Sequence, residues 1–211
     1  MSKIKLVCFD LDKTLIHQNS WYNLNLALGV TEEEDQRLFE QYQEGKLSYN
    51  DWTKKLLNIF LKNKRANLKF ITDTLSNYSF DSKAVEVVNY IKSKGYKVAL
   101  ISGSIDILVN LVAKELKIDL AQATNTFIFD KANNLKDINS MGDDKTAKLS
   151  VLEGFCKKLK INISECACVG DGDNDIKLFL RTGHGITFND SRIKKEAWKI
   201  INSLEGLKGV L

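Results

Sequence analysis

The chain has 211 residues, of which 44% are hydrophobic and 27% charged, a length and composition that suit a globular protein with a sizeable core. Its 31 basic against 27 acidic residues leave a formal charge of +4, which favours anionic ligands mildly and falls far short of a nucleic-acid-binding excess. No apolar run approaches the roughly 20 residues that cross a bilayer, and MSKIKLVCFD enters an apparent strand without the apolar stretch of a signal peptide. A cytoplasmic protein is expected, with neither nucleic acid nor membrane as partner and its oligomeric state open. Cys8, Cys156, Cys166 and Cys168 form no Cys-x-x-Cys or Cys/His cluster and are expected to be reduced core residues.

In chain order, Lys5 to Phe9 is the first of three short apolar runs, followed by Lys97 to Ile101 and Cys166 to Val169, and such runs read as buried parallel strands. Residues 16–78 show helical periodicity and no convincing strand. Within them Thr31 to Glu34 fits a capping box, Gly45 a helix stop, and Ser48 with Asp51 a new start leading into Trp52, Leu56, Ile59 and Phe60. Three or four helices are expected, with Trp21, Tyr49 and Trp52 in their own core. Asp81 reads as the cap of a helix carrying Val85, Val88 and Ile91 and closed by Gly95; Ile105, Leu108, Val112 and Leu116 form the stripe of the next. Thr126 to Phe129 and Leu135 to Ile138 suggest a hairpin, and Trp198 to Ile201 a last strand. The fold class predicted is α/β, a doubly wound, mainly parallel sheet with a helical cap inserted after the first strand: residues 1–15 and 79–211 as core, 16–78 as cap.

Ligands of open α/β sheets bind beyond the carboxyl ends of the strands, where this chain places reactive groups three times. The first strand runs into Asp10-Leu11-Asp12-Lys13-Thr14, the second into Ser102-Gly103-Ser104, the third into Gly170-Asp171-Gly172-Asp173-Asn174-Asp175. Carboxylates gathered at one point repel unless a cation sits among them, and a hard ion such as Mg²⁺ prefers oxygen ligands. A carboxylate can attack phosphorus, and a second acid two residues on, Asp12, can protonate a leaving alcohol. Ser102, with backbone N–H groups at the start of a helix at Ser104, can hold phosphate oxygens, and a lysine should complete the clamp. Lys145 and Lys148 both lie near that point. His17, His184 and Asp173 are expected to be structural or exposed.

D-L-D-K-T, I-S-G-S, a helix-borne lysine and G-D-G-D-N-D, in this order, resemble the four motifs of the haloacid dehalogenase superfamily, most of all its phosphoserine-phosphatase-like branch. The likeness spans nearly the whole chain. It implies a Mg²⁺-dependent phosphomonoesterase acting through an aspartyl phosphate on a small phosphorylated metabolite. It also implies Asp10 as nucleophile, Asp12 as acid/base and Thr14 as the residue ordering the first loop. Asp10, the Asp12 carbonyl and Asp171 would hold the metal, supported by Asp175; Ser102, Gly103 and Asn174 would lie at the substrate, and Lys148, by its spacing from Asp171, would clamp phosphate with Lys145 in reserve. Ungapped, the cap positions that read a phosphoserine's amino and carboxylate groups fall on Asn19 and Lys54. Asn19 offers no countercharge and Lys54 no bidentate fork, so phosphoserine is not expected to stand out; Lys54 favours an anionic or hydroxyl-bearing leaving group. Competing readings are a phosphotransferase or mutase of the same fold, and a receiver-type signalling domain that stores the phosphoryl group.

Overall fold

The computed structural model describes residues 3–211. Seven strands form one sheet in the order β4-β3-β2-β1-β5-β6-β7, all parallel except β4. They are β1 (Leu6–Phe9), β2 (Lys97–Ile105), β3 (Leu120–Phe129), β4 (Leu135–Ser140), β5 (Cys166–Val169), β6 (Gly185–Phe188) and β7 (Lys199–Ile201). The central strand β1 has all four residues buried, with Leu6 opposite Lys97 of β2 on one side and Cys166 of β5 on the other. Because successive side chains of a strand point to opposite faces, Val7 and Phe9 join one apolar cluster and Leu6 and Cys8 another. Thus the chain winds outward from β1 through β2 and β3, then returns to β5 on the far side of β1. The crevice at that reversal is where ligands of such sheets bind.

Four helices, α1 (Ser20–Ala27), α2 (Glu32–Gln43), α3 (Tyr49–Phe60) and α4 (Leu68–Leu75), stand between β1 and α5 (Ala84–Ser93). Polar side chains start each one: Asn19, Thr31, Ser48 and Asn67 accept the N–H groups of Tyr22, Glu34, Asp51 and Phe70. Gly45, at φ 72°, ends α2 as the sequence suggests. The two chain passages that lead into and out of these helices pair with each other. Ile16 bridges Phe80 antiparallel, and Gln18 exchanges side-chain bonds with the Ser79 hydroxyl and N–H. The insert's Leu24, Leu56 and Phe60 share one apolar cluster with the sheet's Val7 and Leu100.

Several local expectations are corrected. Asp81 closes a turn by accepting from Lys83 N and is not the cap of α5, whose buried face is Ala84, Val87, Val88 and Ile91; Val85 is half exposed. Strand β2 continues past Ile101 to Ile105, with its register broken between Ser102 and Ile105, so the following helix α6 (Asp106–Glu115) starts two residues after Ser104. The hairpin strand is the outer end of the longer β3, whose first half pairs parallel with β2. Strand β6 escapes notice in the sequence because it opens on Gly185, a poor strand former, against which the Phe179 ring packs where a Cβ would stand. The remaining helices are α7 (Asp144–Leu159) and α8 (Ile176–Thr182). All four cysteines are buried and free. Among the described residues, no helix is long and apolar enough to cross a membrane.

Candidate active site

Three strand ends converge as the sequence suggests. Asp10 follows β1 and donates its N–H to Val169 O of β5 at 2.9 Å, which joins the first and third motifs through the backbone. The carboxylates of Asp10, Asp171 and Asp175 each place an oxygen within 4.8 Å of the others. Lys148, on α7 and fully buried, reaches both Asp10 Oδ1 and Asp175 Oδ1 at 2.8 Å. Lys145 instead lies in the wall of the cavity described below. The helix phase separates the two lysines. Asp144, Ala147, Lys148, Val151, Leu152 and Phe155 form the buried stripe of α7 at helical spacing, a signal readable from sequence that includes Lys148 and omits Lys145.

Three carboxylates against one ammonium leave two negative charges in a buried space, and the electrostatics register the excess. Burial, and then the charge of Asp10, push Asp171 up to about 6. Burial raises Asp175 likewise against the pull of Lys148. Burial pulls the pKa of Lys148 down, but Asp10, Asp175 and Asp144 outweigh it and hold the value well above the ordinary one. An all-oxygen donor set with two uncompensated charges fits a hard divalent cation.

Asp12 is held from the insert. Its Oδ2 accepts the N–H of Ser20 at 3.1 Å and the Ser20 hydroxyl at 2.6 Å, while its Oδ1 is buried without a hydrogen-bond partner. Burial raises its pKa to about 7, with Asp10 adding to the rise and the Ser20 bonds opposing it. Lys13, at φ 56°, turns the chain between Asp12 and Thr14; Thr14 is buried, with its hydroxyl unpartnered.

On the β2 side, Ser102 Oγ accepts the N–H of Ser104, and Gly103 O accepts both Trp21 Nε1 and Asn125 Nδ2 at 2.8 Å. Gly103 packs against the Asp144 carboxylate so closely that a Cβ would overlap it. Asp144 is held there by Thr124 Oγ1 at 2.8 Å and Asn174 Nδ2 at 2.6 Å. Asn174 therefore secures the loop beside Ser102 through Asp144. Ser20, Thr124, Asn125 and Asp144 carry no motif of their own, and each is found only through the partners the fold gives it.

A cavity of about 590 Å³ lies between this centre and the insert, lined by Asp10, Asp12, Ser102, Gly103 and Asp171 on one side and by helices α1 to α3 on the other. Trp21, Tyr49 and Trp52, expected in the insert's own core, line it. Asn19 reaches it too, with its Oδ1 engaged in capping α1. Lys54 does not. It is exposed and absent from the lining, because α3 turns Tyr49, Trp52, Thr53 and Leu56 inward at helical spacing and Lys54 falls off that face. The expectation that Lys54 meets a leaving group is corrected accordingly. His184 packs edge-on against Trp198, away from the centre.

Residues 4–183 match the haloacid dehalogenase-like hydrolase family. The chain belongs to this family. It is 30% identical over 209 residues to the phosphoserine phosphatase of Methanocaldococcus jannaschii, covering 99% of this chain and 97% of that one. It is 27% identical to that of Streptococcus thermophilus, covering 89% and 86%. Among solved structures, a substrate-bound phosphoserine phosphatase superposes with a TM-score of 0.81 at 30% identity, and a phospho-aspartyl intermediate analogue of a phosphoserine phosphatase with 0.80, each over 99% of both chains. The chain falls in the phosphoserine-phosphatase-like branch. A phosphohydrolase using an aspartyl phosphate is thereby favoured over a receiver domain or a phosphotransferase.

Proposed function

We propose that the chain is a Mg²⁺-dependent phosphomonoesterase for a small phosphorylated metabolite, with residues 1–15 and 79–211 as catalytic core and 16–78 as a cap over the substrate. The observation that carries the reading is the single buried Lys148 touching Asp10 and Asp175 beside Asp171. Asp10, Asp171 and Asp175, with the Asp12 carbonyl, would hold the ion, which when bound neutralises charge on the phosphoryl oxygens. Asp10 attacks phosphorus, the ester P–O bond breaks, and an aspartyl phosphate forms. Asp12 gives its proton to the departing alcohol. Burial, which raises its pKa to about 7 in the metal-free fold, favours the protonated form, and the unpartnered Oδ1 is the oxygen free to carry the proton. Water then attacks the phosphorus of the aspartyl phosphate, Asp12 takes its proton, and inorganic phosphate leaves with Asp10 restored. Ser102, the Gly103 backbone and Lys148 hold phosphate oxygens through both steps. Thr14 orders the first loop, and Asn174 holds Asp144 against Gly103.

The test is p-nitrophenyl phosphate hydrolysis with Mg²⁺, wild type against Asp10→Asn. Multiple turnovers in the wild type and none in the variant are expected, since the amide is isosteric but not nucleophilic. A variant that keeps its rate would remove Asp10 from the mechanism, and full activity in EDTA would remove the metal.

A further inference from the structure

The insert's share of the cavity wall has a composition that speaks to the leaving group. Six aromatic side chains line it: Trp21, Tyr22, Phe39, Tyr42, Tyr49 and Trp52. Four of these form one cluster, with Tyr42 stacked on Trp52 at 5.0 Å, Phe39 tilted against Trp52 at 6.0 Å, and Tyr49 edge-on to both Tyr42 and Trp52 at 5.7 and 5.8 Å. The insert contributes one ionisable carboxylate to the lining, Asp35, and no lysine or arginine. Lys13, Lys145 and Arg192, the basic side chains of the lining, all belong to the sheet side, and Arg192 is paired with Asp173 at 2.9 Å.

Asn25 sharpens the point. It lines the same cavity, is 1% exposed, and donates Nδ2 to Asp35 Oδ1 at 2.6 Å. That bond fixes the amide orientation, because turning it over would set its oxygen against a carboxylate oxygen. Asn25 Oδ1 is then left buried without a hydrogen-bond partner. Asn25 therefore holds the Asp35 carboxylate, the charged acceptor of the insert's lining, beside a wall of π faces. A negative charge beside aromatic faces is what an ammonium group needs; a carboxylate would meet only neutral donors on this wall, such as Gln36, Gln43 and Trp52, together with the repulsion of Asp35.

We infer that the leaving group carries a primary ammonium and no carboxylate, so that the substrate class is a phosphorylated amino alcohol of the phosphoethanolamine type, read by Asp35 against the aromatic cluster, with Asn25 holding Asp35 in position. The inference rests on the phosphatase reading above and narrows it.

The experiment compares kcat/KM for phosphoethanolamine, propyl phosphate, phosphocholine and phosphoserine, with p-nitrophenyl phosphate as the measure of phosphatase chemistry itself. Propyl phosphate replaces the ammonium by a methyl group of similar size. Phosphoethanolamine should exceed propyl phosphate and phosphoserine by about 10 to 100-fold, as expected for hydrogen bonds to a charged group, and should exceed phosphocholine, which has no N–H to donate. Asp35→Asn keeps the side-chain shape and an acceptor for Asn25, and should lower the phosphoethanolamine to propyl phosphate ratio about tenfold. Tyr42→Leu, on a partly exposed residue, should lower the same ratio by a smaller factor through the lost π face. A preference for phosphoserine, or a ratio unmoved in both variants, while p-nitrophenyl phosphate is still hydrolysed, overturns the inference alone. Failure of the wild type to hydrolyse p-nitrophenyl phosphate or any of the four esters overturns it together with the phosphatase reading.

Discussion

Ser20 Oγ stands 2.6 Å from Asp12 Oδ2 and 2.5 Å from Ser104 Oγ, so the first residue of α1 ties the proposed acid to the end of β2. A hydroxyl has one proton, and with Asp12 ionised that proton goes to the carboxylate, leaving Ser104 to donate to Ser20. The insert thus orients Asp12 as well as covering the site. Ser20→Ala removes this hydroxyl and leaves the backbone N–H in place. It should lower kcat about tenfold for alkyl phosphates, whose poor leaving groups need the proton, and less for p-nitrophenyl phosphate, with KM little changed. Equal losses on both substrates would deny Ser20 a part in positioning Asp12.

Among the described residues, Lys148 is the one ammonium in contact with Asp10 and Asp175. Removing one member of a buried pair leaves the other charge uncompensated, at a cost of about 3–5 kcal/mol. Lys148→Met should therefore both inactivate the enzyme and lower its thermal midpoint steeply in metal-free buffer. Adding Asp175→Asn should recover much of the midpoint and none of the activity. A Lys148→Met protein as stable as wild type would show that the three carboxylates do not depend on the lysine for their burial.

What could be read in advance follows from how far each signal travels along the chain. Parallel strands buried on both faces are short apolar runs, and the acids beyond Phe9 and Val169 stand at their ends, so Asp10 and Asp171 were legible as neighbours. Ser20, Asp35 and Asp144 were not, because a lone polar residue in a helix announces nothing until the fold supplies its partner 8 to 30 residues away. An ungapped count misplaces Lys54 because it ignores helix phase: two positions from Trp52 is slightly more than half a turn, which carries Lys54 to the solvent face of α3.

Gly103 has no room for a methyl group, since its missing Cβ would overlap the Asp144 carboxylate. Asp144 cannot move away cheaply, being bonded by Thr124 and Asn174. Gly103→Ala should shift the loop that carries Ser102, lower stability by about 1–3 kcal/mol and weaken phosphate affinity. Inhibition by inorganic phosphate reads the second effect: the inhibition constant should rise about tenfold or more, as when an anion loses hydrogen-bond donors. An unchanged constant would place phosphate away from Gly103.

The raised carboxyls set the direction of the protein's pH response without metal. Asp12 and Asp171 have an ordinary value of 3.8 and titrate in the fold at about 7 and about 6. Between those values the folded chain binds more protons than the unfolded one, so its stability falls as pH rises. The contribution is complete below about pH 4 and lost by about pH 7. A divalent cation reverses the penalty by favouring the ionised carboxylates, and a ligand that binds only the folded state adds stability in proportion to the logarithm of its concentration over Kd. Carboxylates must lose their protons to bind it, so affinity grows with pH. Thermal midpoints measured in EDTA should fall from pH 5 to pH 8, and the gain on adding Mg²⁺ in excess over its Kd should be larger at pH 8 than at pH 5. Ca²⁺, with its longer and looser coordination, should raise the midpoint while supporting little turnover, separating binding from catalysis. A Mg²⁺ gain that is absent, or larger at pH 5, would mean that Asp10, Asp171 and Asp175 do not hold the metal. Asp171→Asn should abolish the gain, because it removes a charged ligand from the cluster and relieves the repulsion that the ion would otherwise offset.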